Sequence, residues 1–238
     1  MEILAIGNSF SQDATRYLHQ IARADGVKLN VVNLYIPGCP LERHYRNMLS
    51  GERNYKLECN GEQTGFNVSL QEALLNRSWD VITIQQASPF SFDPETYRPY
   101  AKSLAEMIRK YSPKAKLLLQ ETWFYEEGSS RRLDVAGYTS WKEMLKDIQT
   151  AYARIAEEIE ADGIIPSGTL FGQLLDAGVP KVHRDTFHAS YGLGRYALGL
   201  LWYRILTGNS VICNPFLDLD ESITTEERDI VKNCVESI

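Results

Sequence analysis

Short, predominantly apolar runs alternate along this chain with stretches in which apolar residues recur at helical spacing, and that alternation narrows the possible folds more than any other feature. The runs are ILAI (3–6), LNVVNLYI (29–36), DVITI (80–84), KAKLLLQ (114–120) and DGIIP (162–166). None keeps a strict polar/apolar alternation, so each reads as a strand buried on both faces. Between the last two runs, Trp141, Met144, Leu145, Ile148, Tyr152, Ile155 and Ile159 fall on one helical face, a stripe that must be covered. Strands alternating with helices of this length imply a parallel sheet with right-handed crossovers and helices on both sides. The expected fold is therefore α/β, a three-layer α/β/α sandwich around a five-stranded parallel sheet.

Local signals support the helical segments. Ser69 with Glu72, Ser140 with Glu143 and Thr224 with Glu227 have the spacing of capping boxes. Asp93 followed by Pro94 suits a cap and first turn, and Gly26 and Gly208 stand where helices following Ser11 and Ser190 should end. Two segments break the rhythm. Residues 51–68 contain YKLECNGEQTGF, which suits a small hairpin turning at Asn60-Gly61, and 125–139 is a polar loop rich in Gly, Ser and Arg. Both read as insertions at the rim of one domain spanning 1–238, a length that does not force a split.

The formal net charge is -6 and there is no basic block, so the cationic face that a nucleic acid would require is missing. No stretch has the apolar length of a membrane span. Met1 runs almost directly into a strand pattern with no basic-then-apolar leader, which gives a cytoplasmic expectation. Cys39, Cys59, Cys213 and Cys234 are scattered without the close pairs of zinc or redox motifs, and read as reduced thiols.

The segment that calls for chemistry is GNSFS, residues 7–11, at the carboxyl end of the first strand, where open parallel sheets bind ligands. A helix start nearby would point backbone amides at an anion or a developing oxyanion. Gly7, Asn8 and Ser9 could equally be only a turn and a cap. A serine nucleophile needs a base and a carboxylate to orient it. His19 sits in the first helix pattern, His44 in a helix start after Gly38, and His183 and His188 flank Asp185. In HRDTFHAS, Asp185 lies three residues before His188 on an irregular segment. It can therefore accept from the imidazole Nδ1 and leave Nε2 for the serine, though a turn role or pairing with Arg184 is equally compatible with its position.

With Ser9 after the first strand and Asp-x-x-His near the end, the sequence resembles the SGNH (GDSL-like) hydrolase superfamily, and within it a bacterial branch with a Gln-Gln block. The matching segments are 3–11, 36–41, 80–88 and 183–199. The resemblance implies a flavodoxin-like topology, Ser9 as nucleophile in a Gly-Asn-Ser variant of Gly-Asp-Ser, and Asp185 and His188 completing a triad. It implies an oxyanion hole from the amides of Ser9 and Gly38. The superfamily's Gly-x-Asn-Asp block is here IQQAS, so Gln86 or, less favoured, Gln85 would replace the asparagine donor.

No metal or organic cofactor is implied. The resemblance suggests a serine esterase removing a small acyl group, acetyl foremost, from a carbohydrate or other small-molecule ester. Asn8 and the aromatic Phe90, Trp123 and Tyr125 are candidate substrate contacts, although such rings also pack helices onto sheets. Two other readings remain: a flavodoxin-like protein whose GNSFS loop cradles a flavin phosphate, and a carbohydrate-binding relative without catalysis. The first leaves HRDTFHAS unexplained. Oligomeric state is not legible.

Overall fold

Burial and capping place the elements close to the expected positions in the computed structural model, which describes residues 1–130 and 132–238. In chain order they are β1 (Glu2–Gly7), α1 (Ser9–Thr15), α2 (Leu18–Ala24), β2 (Asn30–Tyr35), α3 (Leu41–Ser50), β3 (Tyr55–Cys59), β4 (Glu62–Val68) and α4 (Leu70–Asn76). There follow β5 (Val81–Ile84), α5 (Tyr100–Tyr111), β6 (Lys116–Gln120), α6 (Trp141–Glu158), β7 (Gly163–Ile165), α7 (Ser167–Asp176), α8 (Leu193–Thr207) and α9 (Thr225–Glu236). Strands β2, β1, β5, β6 and β7 pair in parallel in that order, which is the anticipated sheet core.

The sheet is wider than expected, with seven strands in the order β4-β3-β2-β1-β5-β6-β7. The segment 51–68 is not a separate rim feature: its hairpin pairs antiparallel with β2 and extends the sheet. Asn60 and Gly61 both take positive φ, 54° and 86°, as a two-residue hairpin turn demands. Short, half-polar strands such as YKLEC give little sign of whether a hairpin stands alone or joins a neighbour. The 125–139 segment has no regular helix or strand among its described residues, and its residue 131 lies outside them.

Ser69 and Thr224 form both halves of a capping box. Ser140 does not. Its hydroxyl accepts from the Lys142 amide, while the Glu143 carboxylate accepts from Thr139 Oγ1 at 3.1 Å. Helix α8 is apolar nearly all round because it is buried among α1, α2, α7 and α9, while α3, α4 and α5 pack with one another, and the two groups flank the sheet. No helix among the described residues is long and apolar enough to cross a membrane.

From β1 the chain crosses to β2 on one side and later returns to β5 on the other. The crevice beyond the carboxyl ends of these three strands is the position at which such sheets hold ligands.

Candidate active site

Helix α1 begins at Ser9 itself, earlier than expected, with Asn8 as its cap: Asn8 Oδ1 accepts from the Phe10 amide at 3.0 Å. The same oxygen accepts from Gln85 Nε2 at 2.9 Å, and Asn8 Nδ2 donates to the Cys39 carbonyl at 3.1 Å. Asn8 thus ties together the segments that follow β1, β2 and β5. A Cβ on Gly7 would stand 2.6 Å from Ser11 Oγ and 2.9 Å from Gln85 Oε1, so only glycine fits beneath that knot. Gly38 takes φ +59°, the left-handed turn that carries the chain from β2 towards α3.

The segment after α7 folds back on itself through a bridge between His183 and Ala189, and Arg184 N donates to the His188 carbonyl at 3.0 Å. It places His188 Nε2 2.9 Å from Ser9 Oγ and His188 Nδ1 2.8 Å from Asp185 Oδ2. Asp185 Oδ1 accepts from the amides of Phe187 and His188 at 2.9 and 2.7 Å. Burial works to raise the Asp185 pKa, but the two amides and the imidazole outweigh it and hold the carboxyl at about 2. The carboxylate is therefore charged at any pH well above that value, and it favours the tautomer that leaves Nε2 to accept from the serine.

The other histidines do not reach this pair. His19 Nδ1 contacts the Leu29 carbonyl at 2.7 Å. His44 faces the Tyr55 hydroxyl and His183 the Phe124 carbonyl, and burial lowers their pKa values to about 3 and about 4, so both rings are neutral. The Cys39 thiol is buried and pushed up to about 12, which removes it as a rival nucleophile.

Ser9 and His188 open onto a cavity of about 320 Å³ whose wall includes Asn8, Tyr35, Gly38, Ser88, Arg132 and Phe187. Neither the Ser9 nor the Gly38 amide donates to an acceptor among the described residues, which leaves both free to serve an oxyanion. The glutamine expectations need correction. Gln86 lies outside the cavity wall: its Oε1 accepts from the amides of Leu41 and Ala87, both at 2.9 Å, and its Nε2 donates to the carbonyl and hydroxyl of Thr96. Gln85 points at Asn8 rather than into the cavity. The polar side chain that this strand end does present is Ser88, whose Oγ accepts from the Tyr125 hydroxyl at 3.1 Å.

The aromatic expectations fare similarly. Trp123 is fully buried, stacked on Phe10 with centroids 3.8 Å apart, and donates to the Phe187 carbonyl at 2.7 Å. Tyr125 is buried behind Ser88, and Phe90 is exposed but away from the cavity. Of the four candidate contacts, only Asn8 lines the wall. The rings that do so are Phe10, Tyr35 and Phe187. Arg132 and Phe187 were not anticipated. Phe187 could have been marked by its place inside Asp-x-x-His, whereas nothing local distinguishes Arg132 within its polar loop.

A doubly wound sheet with this cavity at its switch point has the fold of the SGNH hydrolases. A candidate SGNH hydrolase from Slackia heliotrinireducens superposes with a TM-score of 0.63 at 22% identity, covering 87% of this chain and 98% of its own. Axe2, an acetylxylan esterase from Geobacillus stearothermophilus, gives 0.51 at 17% identity, with 86% and 91% covered. Within that fold the chain belongs to the DUF4886 family, a domain of unknown function matched over residues 2–237. A DUF4886 family protein from Bacteroides uniformis is 29% identical, covers 100% of this chain and 93% of its own, and superposes with a TM-score of 0.90. No curated protein matches the chain.

Proposed function

We propose that the protein is a serine esterase acting on small acyl esters through Ser9, His188 and Asp185. The observation that carries this reading is the unbroken series from Asp185 Oδ2 through the imidazole to Ser9 Oγ, at 2.8 and 2.9 Å, open to a cavity. His188 Nε2 takes the Ser9 proton as Oγ bonds to the ester carbonyl carbon, and the amides of Ser9 and Gly38 receive the resulting oxyanion. Ser88 replaces the expected glutamine as the side-chain donor on the facing wall. Collapse of the tetrahedral intermediate breaks the carbon–oxygen bond to the alcohol, which leaves with the proton from His188. Water then adds to the acyl-enzyme by the same route, releasing the acid and restoring Ser9.

A cavity of this size suits a short acyl group, and the acetylxylan esterase among the fold neighbours makes O-acetylated carbohydrates the first substrates to try. The flavin-phosphate alternative is disfavoured because the Asn8 side chain already occupies the start of α1. Treatment with a neutral fluorophosphonate should label the protein, and Ser9→Ala should abolish labelling, with His188→Ala slowing it by about a thousandfold or more. Labelling that persists in Ser9→Ala removes Ser9 as nucleophile. An intact, unlabelled wild type that still binds acetylated sugars would mark a non-catalytic relative.

A further inference from the structure

Arg132 holds an unusual position among the arginines. Those at 16, 46, 53, 77, 98, 154, 184, 195, 204 and 228 pair with carboxylates, whereas Arg23, Arg43 and Arg109 do not among the described residues but lie outside the cavity wall. Arg132 has no carboxylate partner among the described residues, yet it lines the Ser9–His188 cavity. Its guanidinium lies 4.0 Å from the centroid of the Phe187 ring, which itself packs on His188 with centroids 3.8 Å apart. A cation stacked on a ring face keeps its edge free, and the planar N–H fork of a guanidinium matches a carboxylate. The cavity wall carries no Asp or Glu. Apart from the His188 imidazole, Arg132 is therefore the basic side chain on that wall, partly shielded from water.

We infer that the site selects esters bearing a carboxylate close to the ester bond, with Arg132 binding that carboxylate while Ser9 attacks. The inference rests on the esterase reading and adds the substrate's charge. Either half of the ester may supply the acid, so two matched pairs separate the sources: acetylated methyl glucuronoside against acetylated methyl glucoside for the alcohol side, and 4-methylumbelliferyl hydrogen adipate against the hexanoate for the acyl side. The readout is the ratio of kcat/KM within each pair, which is insensitive to the fraction of protein folded. Wild type should favour the acid in at least one pair by about tenfold or more, the scale of one charged hydrogen-bonded contact. Arg132→Gln should bring that ratio to within about twofold of unity, and Arg132→Lys should keep part of it because charge survives without the fork. Calorimetric binding of glucuronate and adipate to Ser9→Ala, with and without Arg132→Gln, tests the same contact without turnover. No acid preference in either pair, or a preference that survives Arg132→Gln, overturns the inference while leaving the esterase standing. Arg132-dependent binding without hydrolysis of any ester supports it and overturns the esterase; neither binding nor hydrolysis overturns both.

Discussion

Asp185 is nearly half exposed, with 46% of its side chain accessible, and yet it is held by three donors from two adjacent residues. Because its folded pKa lies below the ordinary carboxylate value of 3.8, its contribution to stability is present above that value and is lost as pH falls towards about 2. Activity at any higher pH thus has a charged carboxylate behind the imidazole. Asp185→Asn should lower kcat for p-nitrophenyl acetate by about a hundredfold to ten-thousandfold, since an amide can favour the wrong tautomer. Turnover near that of wild type would remove Asp185 from the proposed triad. Gln86 should behave oppositely. Gln86→Ala strands the buried amides of Leu41 and Ala87 and should lower the unfolding free energy in urea by about 1–3 kcal/mol for each group left unbonded. An unchanged urea midpoint would show that those amides find other partners.

At the scale of elements, helix α1 presents the proposed nucleophile, Ser9, and also anchors the segment bearing its proposed base, His188. Asp13 lies one turn beyond Ser9, fully buried, and its carboxylate accepts from Arg184 Nη1 at 2.9 and 3.0 Å and from Arg195 Nε at 2.8 Å. Arg184 immediately precedes Asp185 and also donates to the Ala189 carbonyl, so the ion pair pins both ends of the turn that displays His188. Both guanidinium groups also lie over the Tyr191 ring, at 4.6 and 4.5 Å from its centroid. Removing one partner from a buried ion pair commonly costs about 3–5 kcal/mol, because the remaining charge is left without a counterion. Arg195 keeps Asp220 as a partner at 2.8 Å, so Asp13→Asn leaves mainly Arg184 without a counterion and should show a loss of about 3 kcal/mol or less in urea, together with slower fluorophosphonate labelling per folded molecule. Labelling at the wild-type rate in the folded fraction would show that α1 does not position the base.

For the molecule as a whole, buried titrating groups outside the cavity wall should set how stability varies with pH. Glu121 is buried after β6, and burial raises its carboxyl to about 7 despite donation from the amide and hydroxyl of Thr169. A folded pKa above the ordinary 4.5 means that the Glu121 contribution to stability declines by about 3 kcal/mol as pH rises from about 4.5 to about 7, while the lowered pKa values of His44 and His183 make their contributions rise with pH up to about 6.5 and oppose it. Glu121→Gln should make Tm rise more steeply with pH across that interval; an unaltered slope would show that Glu121 does not titrate there. What the sequence reveals at this scale follows the range of the interactions. The apolar strand runs, the Ser69 and Thr224 boxes and the Asn60-Gly61 turn are local patterns and are readable directly. The pairing of β3 with β2, the burial of Trp123 and the arrival of Arg132 at the cavity are decided by segments far along the chain, and no local pattern encodes them. The contact of Ser9 with His188 and Asp185 is the exception, because the proposed chemistry demands those particular side chains. Ser9 and His188 stand 179 positions apart, so their contact closes late in the chain's manufacture. A reagent that marks Ser9 would then double as a stamp of finished assembly, leaving half-made or wrongly joined copies blank.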